Sequence, residues 1–457
     1  MLLSILKKFS LPVLFSVLIC AESQAQQAMT LKECIAYGLK NHLSVKIYAN
    51  DIEQSKQKKR ESLASYLPQA TVSGAVDRNL KIQTNVLNMS SANGAGIPGL
   101  PDGNLMIKFG TPYDMTLTGE VTQQIIDETK LISIKASDPY NQLAQLNKQQ
   151  NDEQIIYNTA AAYFQIIVLQ KQLELQEDDK IRYEKLLKVA QLRNQQGVAK
   201  KSELMQVQVN LNNLVSQIAV TKNNLSYTIN ILKNYMGMPS TNEIAFSDTS
   251  RWLQTVPENN VVIPEFNYNI TTAYLQQKTQ IILNDFNRKS IKAGVYPTLA
   301  FYARYGMNGL GNSFGQTFGT LYNYSAIGIK LNWNLFTGFR RDAQYRQATV
   351  DYENAVHNLK LNEENQNLMF QNSVVSLQRT DSSISSNRSN MRLAREVYEN
   401  TSLAYQQGAS DLSALLNAEN SYRESETNYL QSLLDFYQAE LALHRSAGTL
   451  KEYFNQL

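Results

Sequence analysis

Residues 197–237 read GVAKKSELMQVQVNLNNLVSQIAVTKNNLSYTINILKNYMG, and residues 408–448 repeat the same pattern 211 positions later. Apolar side chains recur every seven residues in both copies: Leu204, Leu211, Ile218, Leu225 and Leu232 in the first, and Leu415, Tyr422, Tyr429, Phe436 and Leu443 in the second. A strict seven-residue apolar repeat is typical of helices that supercoil around neighbours. Its recurrence at one fixed separation indicates an internal duplication. We therefore expect a helical scaffold built from two structural repeats.

The composition argues against catalysis and against a nucleic-acid partner. The 457 residues carry a formal net charge of +3 and have a pI near 8.5, without the strongly basic balance of a nucleic-acid-binding protein. The three histidines are isolated in the sequence, so we expect no histidine-based metal site and no cofactor. Acidic pairs such as Asp178 with Asp179 are explained by a solvated helix face. We therefore expect no enzymatic activity.

Residues 1–25 have the pattern of a secretory signal peptide. Two lysines precede a short apolar run, and small residues flank a cleavage position after Ala25. The run is too short to span a bilayer and contains Pro12, so we expect cleavage and no anchor. Lipidation at Cys20 is not expected, because the residue before it is not small. The mature chain then keeps only Cys34 and has no intramolecular disulfide.

The periodicity changes from helical to two residues after Pro68 and again after Pro297. The clearest alternation is in residues 327–335, where one side of the pattern is apolar and aromatic and the other is polar. We predict four strands of about ten residues, arranged as two hairpins at 70–126 and 298–336. Residues 85–112 and 306–323 are rich in glycine, asparagine and serine, and we expect surface loops there. An antiparallel sheet packed on a helix remains an alternative.

The remaining pattern divides the chain into two repeats and a linker. The first repeat, 26–237, contains helix 31–66, the hairpin 70–126, the long helix 129–196 and helix 198–236. The linker is 238–267, and the second repeat, 268–448, contains helix 268–294, the hairpin 298–336, the long helix 339–407 and helix 409–447, followed by a tail at 449–457. Ser137 or Asp138 is expected to cap a helix that begins or kinks at Pro139.

Helix lengths predict how these segments stack. At 1.5 Å per residue, the long helices reach roughly 100 Å, and the shorter ones roughly 60 Å or less. Two short helices placed end to end match one long helix. We expect each helix that follows a glycine turn to meet the bottom of the next short helix, with the linker 238–267 as a belt around the middle.

This series of elements resembles the TolC family of outer-membrane efflux proteins. The resemblance covers nearly the whole mature chain and includes Leu335-Phe336-Thr337-Gly338-Phe339 at the end of the second hairpin. The first repeat departs from that motif, with residues 125–128 reading IIDE. The resemblance implies a mainly α-helical fold with a β-barrel portion: a homotrimer with a twelve-stranded barrel in the outer membrane of a Gram-negative bacterium and a helical tunnel in the periplasm.

The barrel implied by the resemblance gives the two faces of the strands different surroundings. Outer-membrane lipid is expected to contact Phe301, Tyr305, Leu331 and Trp333. Lys330, Asn332, Glu120 and Arg304 would then face a wet lumen. Closure of a barrel would also remove the exposed edges that two isolated hairpins leave.

The two glycine turns resemble the periplasmic tips of the family. The residues implied to dock a periplasmic adaptor are Gly197, Val198, Ala199 and Ser202 in the first tip and Gly408, Ala409, Ser410 and Ser413 in the second. Glycine permits the left-handed backbone that ends one helix, and the serine is expected to cap the next. Ordinary turns between antiparallel helices remain the alternative.

Candidates for a gate at the tunnel entrance follow from the same resemblance. Some relatives carry aspartates six and nine residues after the second glycine, where this chain has Ala414 and Asn417; the first repeat has Glu203 and Gln206. Because the acidic pattern is absent, we expect a constriction held by packing and hydrogen bonds, with Tyr405 as a member.

The expected function is that of a passive outer-membrane exit duct. It would serve a tripartite efflux or type I secretion system, in which an inner-membrane transporter delivers substrates through a periplasmic adaptor. No nucleotide-binding glycine loop occurs in the sequence. The alternative is a non-channel periplasmic coiled-coil structural or adaptor protein, although adaptors typically interrupt their helices with compact β-domains. The sequence does not specify the cargo.

Overall fold

The computed structural model describes residues 28–88, 104–254 and 262–456. The expected signal peptide, its cleavage position after Ala25, Cys20 and the loop at 91–96 lie outside the described residues. Within the described part of the chain, no helix combines the length and the apolar character that crossing a membrane requires.

The described elements follow the same order in both halves of the chain. The first half contains β1 (Ala28–Met29), α1 (Leu31–Asn41), α2 (Leu43–Ala64), β2 (Gln69–Arg78), β3 (Thr84–Asn88), β4 (Asn104–Lys108), β5 (Tyr113–Ile126), α3 (Glu128–Gln195) and α4 (Lys201–Met236). A connecting segment contains β6 (Ala245–Phe246) and α5 (Thr249–Gln254). The second half contains α6 (Thr272–Ala293), β7 (Thr298–Gly311), β8 (Leu321–Asn332), α7 (Arg340–Gln406), α8 (Leu412–Ala447) and α9 (Leu450–Gln456). The predicted fold class, long helical hairpins plus four principal strands, is confirmed.

The two predicted hairpins form one antiparallel sheet within the chain. Its order is β2-β5-β7-β8, and the β5–β7 pairing joins the two halves. The expected loops are partly wrong. β3 and β4 pair with each other over Thr84–Asn88 and Asn104–Lys108, β7 continues to Gly311, and β8 begins at Leu321. The backbone groups of these residues are therefore satisfied by strand pairing, which the high content of glycine and asparagine concealed.

The helix α3 starts close to the predicted residue 129 and passes through Pro139, so the alternative of a helix that begins at Pro139 is wrong. It begins after Asp127, whose carboxylate accepts hydrogen bonds from the backbone N–H groups of Thr129 and Lys130. Ser137 does not act as a cap, because its hydroxyl donates to the carbonyl of Ser133 one turn earlier. Pro139 removes one backbone donor from a 68-residue helix, and the helix continues.

The predicted helix 31–66 is in fact two helices that meet at His42. The backbone of His42 is extended, and its ring accepts a hydrogen bond from the N–H of Ser44 at the start of α2. Gly237, at the end of α4, lies against this junction: a Cβ on Gly237 would be 2.7 Å from the Cα of His42. Its φ of +67° is also one that glycine tolerates best.

The stacking of short helices therefore differs from the prediction. The end of α4 meets α2 of the same repeat, and Gly448 at the end of α8 meets Thr271, the N-cap of α6 in its own repeat. The expected contact with the next short helix is wrong. The end of α4 meets α2 instead because α2 and α4 both pack along α3, so their ends come together.

The helices bury two apolar clusters. The equatorial core surrounds Phe164, which stacks on Tyr437 at 4.4 Å and meets Trp252 edge-on at 5.0 Å. Asp248 ties the connecting segment to this level, since it accepts hydrogen bonds from the Tyr163 hydroxyl and the Trp252 indole. The tip core lies nearer the glycine turns and is built from all four long and ascending helices, with members such as Tyr183, Leu211, Tyr405 and Leu415.

A polar layer separates the two apolar cores. We define it as the buried side chains of Gln176 and Asp179 on α3 and Glu419 and Glu426 on α8, together with Arg182 on α3. Asp179 is only 2% exposed, so the expectation that it lies on a solvated helix face is wrong. The α3 and α8 helices pack on each other here, which removes one side of each from water.

Candidate functional sites: a two-faced sheet and two helical tips

The strand register divides the main sheet into an apolar and a polar face. Phe301 is paired with Ile329, and Leu299 with Leu331. The apolar face continues across all four strands through Val72, Val76, Leu117, Val121, Leu299, Phe301, Tyr305, Ile327, Ile329 and Leu331. Most of it is uncovered: Val72 is 79% and Ile327 78% exposed in the single chain. A patch of this extent requires an apolar neighbour.

All four residues expected to contact lipid lie on or next to this face. Phe301 and Tyr305 are on β7, and Leu331 is on β8. Trp333 follows the end of β8, and its indole N–H donates to the carbonyl of Val295 at 3.0 Å.

The opposite face of the sheet is polar and aromatic. Glu120 is paired with Arg304 across β5 and β7. The hydroxyls of Thr118 and Tyr324 are 2.6 Å apart, which links β5 to β8 across β7. Lys330 and Asn332 alternate with the apolar residues of β8 and therefore lie on this polar side.

Both glycine turns have the same backbone geometry. Gly197 and Gly408 have φ values of +73° and +76°. In the first tip, the N–H of Val198 donates to the carbonyl of Arg193 at 2.9 Å, and in the second the N–H of Ala409 donates to Ala404 at 2.8 Å. These bonds span the end of each long helix as in a Schellman turn. Val198 is 70% exposed, so the first tip presents an apolar side chain to water.

The helices that leave the two tips begin differently. The expected serine caps are wrong, because Ser202 and Ser413 are each the second residue of their helix. Asp411 caps α8, with its carboxylate accepting from the N–H of Ala414 at 2.7 Å. The equivalent Lys200 makes no side-chain cap, so the start of α4 lacks this bond. A carboxylate two residues earlier outcompetes the serine, since it also favours the positive end of the helix dipole.

The gate candidates occupy two kinds of position. Tyr405 is buried in the tip core, with the Arg193 guanidinium 4.8 Å from its ring centroid. Gln206, Ala414 and Asn417 are exposed on the single chain, and Glu203 is half-buried. The structure therefore does not bring Tyr405 together with the exposed candidates within one chain.

Sequence reasoning missed the polar layer, although a signal was present. Leu412, Glu419, Glu426 and Leu433 are seven residues apart and share one stripe of α8. All four are buried. Two glutamates within a leucine seam indicate a buried polar interruption rather than a solvated face.

Comparisons with known proteins agree with this geometry. The family model described as "Outer membrane efflux protein" matches residues 286–449. Outer membrane protein TolC of Vibrio cholerae is 19% identical over 341 residues, covering 72% of this chain and 76% of that protein. The outer membrane protein VceC of Vibrio cholerae has a TM-score of 0.70 at 16% identity, covering 92% of this chain and 96% of VceC. The CmeC outer membrane channel of Campylobacter jejuni has a TM-score of 0.72 at 14% identity, covering 92% and 86%.

Residues 286–449 match the family of outer membrane efflux proteins, and the fold of the described chain is that of outer membrane channels such as VceC and CmeC. The similarity to TolC over 341 residues agrees with the resemblance that the order of the elements predicted. These similarities favour an outer membrane channel over the alternative of a non-channel coiled-coil adaptor.

Proposed function

We propose that the protein is the passive, homotrimeric outer-membrane component of a tripartite efflux or type I secretion system. The observation that carries this proposal is the uncovered apolar face that runs across all four strands of the sheet. β2 and β8 are the two edges of that sheet in the described chain. Three copies joined at these edges close a twelve-stranded barrel, with lipid on the apolar face and a wet lumen on the polar one.

The helical shaft offers a second surface for another copy of the chain. On α7, Leu361, Leu368 and Val375 are seven residues apart and 55%, 55% and 63% exposed. An exposed apolar stripe with this spacing fits a neighbouring helix in a supercoil. In the trimer, the described parts of the repeats 26–237 and 268–448 each contribute two helical walls. Of the linker 238–267, residues 255–261 lie outside the described residues, and we place the remainder at the equator.

The periplasmic end is proposed to dock a periplasmic adaptor, which receives substrates from an inner-membrane transporter. The contact residues are Gly197, Val198, Ala199, Ser202, Gly408, Ala409, Ser410 and Ser413, which are the exposed or half-buried residues of the two tips. The gate candidates Glu203, Gln206, Ala414 and Asn417 follow the two tips along α4 and α8, and Tyr405 precedes the second tip on α7. No energy source is required of the duct itself.

Matched substitutions on β8 test the barrel. Ile327 and Ala326 are neighbours on opposite faces, so a lysine meets lipid at Ile327 and water at Ala326. A lysine facing the middle of the bilayer costs about 2–4 kcal/mol. We expect Ile327→Lys to reduce the amount of cross-linkable trimer in the outer membrane, and Ala326→Lys to assemble and alter conductance in planar bilayers. Equal assembly of both variants, or no pore from the wild type, contradicts the proposal.

A cysteine scan tests the docking tips. With Cys34 replaced, cysteines at Val198 and Ala409 are expected to cross-link to an adaptor in cells, whereas a cysteine at Val220 in the shaft, which is also exposed, is not. Cross-linking that is equal at all three positions contradicts docking at the tips.

A further inference from the structure

The part of the shaft next to the strands is a row of four helices. α2 packs on α3, α3 on α6 and α6 on α7, so α2 and α7 lie at the two ends of the row. The main sheet has the same order, because β2 follows α2, β8 precedes α7, and the strands run β2-β5-β7-β8. A second copy that joins one edge of the sheet therefore brings its own end helix against α2 or α7.

α2 carries an uncharged stripe on the side away from α3. On its packed side, Lys59 reaches the carboxylate of Asp138 on α3 at 2.6 Å. The opposite, exposed side has positions spaced by four, three and four residues: Leu43, Ile47, Asn50 and Gln54. Charged residues such as Lys46 and Glu53 lie beside this stripe and not in it. Leu43 is 68% exposed, so the stripe offers apolar surface to a neighbour.

α7 carries a stripe of the same kind on the side away from α6. On its packed side, the ring centroid of Tyr352 is 4.4 Å from the guanidinium of Arg288 on α6. The exposed positions opposite Tyr352 repeat the spacing of four, three and four residues: Val350, Asn354, His357 and Leu361. Glu353 and Lys360 lie beside the stripe. Both ends of the row thus present a side without carboxylates, lysines or arginines, as expected for the centre of an interface.

The two stripes lie at the same distances from the strands. Leu361 is 21 residues after Arg340, where α7 begins, and Leu43 is 21 residues before Ala64, where α2 ends. The other three positions of each stripe are 17, 14 and 10 residues from the same helix ends. At 1.5 Å per residue, both stripes span about 15–32 Å from the ends of their helices. Rotation about the axis of a closed ring leaves these heights unchanged, so each position meets its counterpart in the next copy.

We propose that α7 of one copy packs antiparallel on α2 of the next copy through these two stripes. The seam has four layers, which are Val350 with Gln54, Asn354 with Asn50, His357 with Ile47, and Leu361 with Leu43. Each asparagine amide has donors and an acceptor, so the Asn354–Asn50 layer can pair its polar groups. A polar pair within an apolar seam fixes the register of the helices. This inference rests on the proposed function, because a seam between copies requires the homotrimer.

Disulfide formation tests the register. In a Cys34→Ala background, Leu43→Cys with Leu361→Cys is expected to give trimers on an SDS gel after mild oxidation, which reductant converts to single chains. α2 and α7 of one chain lie at opposite ends of the row, so this bond joins two copies. Leu43→Cys with Asn354→Cys is the matched control; its two positions are seven residues out of register, about 10 Å, which exceeds the reach of a disulfide.

The outcomes separate the register from assembly in general. Equal cross-linking of the two cysteine pairs overturns the proposal, and so do assembled trimers in which Leu43→Cys and Leu361→Cys do not react. If that variant does not fold, Ile47→Cys with His357→Cys is a second pair at equal height and decides the question. A lysine-reactive cross-linker applied to the wild type measures the oligomeric state independently. Absence of a trimer there contradicts the proposed function, whereas trimers without the disulfide contradict only the seam.

Charge substitutions test the asparagine layer. Asn50→Asp with Asn354→Asp places like charges against each other, and we expect the temperature at which trimers dissociate to fall. Asn50→Lys with Asn354→Asp places opposite charges there and is expected to restore much of the loss. Asn358→Asp adds a charge at an exposed position of α7 outside the stripe and should behave as the wild type. A double-aspartate variant whose trimers are as stable as those of the wild type overturns the proposal.

Discussion

The contact of Gly237 with His42 makes a sharp prediction about helix stacking. Gly237 and Gly408 both end long helical segments, with φ of +67° and +76°, so alanine is strained at both positions. That backbone strain costs about 1–2 kcal/mol for a residue with a Cβ. At Gly408 nothing lies within 4 Å of the added Cβ. At Gly237 the Cβ would be 2.7 Å from Cα and 3.1 Å from the backbone N of His42.

The difference in surroundings sets the size of the effect. Backbone atoms at 2.7 Å cannot rotate away, so α4 and the α1–α2 junction have to move apart. Overpacking of this kind adds about 1–3 kcal/mol. Gly408→Ala is therefore expected to destabilise by about 1–2 kcal/mol and Gly237→Ala by about 2–5 kcal/mol, from the sum of the two contributions.

The assay compares thermal unfolding of the detergent-purified variants by circular dichroism. Scans are run at one heating rate, because unfolding of a large membrane protein is a rate process as much as an equilibrium. Asparagine tolerates the left-handed conformation better than alanine, so Gly408→Asn should recover stability and Gly237→Asn should not. If Gly237→Ala melts no lower than Gly408→Ala, α4 does not stack on the His42 junction.

Three further predictions concern the equatorial core, the helix starts and the C-terminal helix. Phe164→Ala should lower stability by about 3–5 kcal/mol in the same melts, because Phe164 is 1% exposed and stacks on Tyr437. Asp411→Ala should cost about 1 kcal/mol and Lys200→Asp should gain up to about 1 kcal/mol, measured as altered amide exchange in the first turns of α8 and α4. Burial lowers the pKa of His444 to about 4, so the unfolded chain binds a proton there more readily than the folded chain, and stability should fall from about pH 6.5 towards 4. The melting temperature of His444→Gln should depend less on acid than that of the wild type. An acid dependence equal to that of the wild type contradicts the burial of this ring.

Periodicity predicted the elements whose signals are local. The alternation that begins at Ile327 predicts both the strand β8 and its apolar face, because side chains two residues apart lie on the same face of a strand. The seven-residue repeat predicts the helix 409–447, and the observed α8, Leu412–Ala447, differs from it only at its start. The break at His42 itself carries no proline or glycine, and the residue packed against it, Gly237, is distant in the sequence.

The tips and the polar layer show a different limit. Ser413 is a good capping residue in isolation, but Asp411 begins the helix earlier and takes the role. Glu419 and Glu426 do not belong to the apolar seven-residue repeat that begins at Leu415, so that repeat alone does not predict their burial. α8 contacts both α7 and α3, so it has two buried faces, and only tertiary packing reveals the second.

The two copies of the repeated helix therefore have unequal structural roles. α4 and α8 are both 36 residues long, yet nine residues of α4 are buried and sixteen of α8. α8 packs on α3 as well as on α7, and the polar layer lies between α3 and α8. Separating helices at an apolar seam exposes hydrocarbon to water, whereas separating them at this layer returns carboxylates and the amide of Gln176 to solvation. The duplication therefore supplied two helices of equal length whose buried faces differ in chemistry, because the second carries Glu419 and Glu426 where it packs on α3.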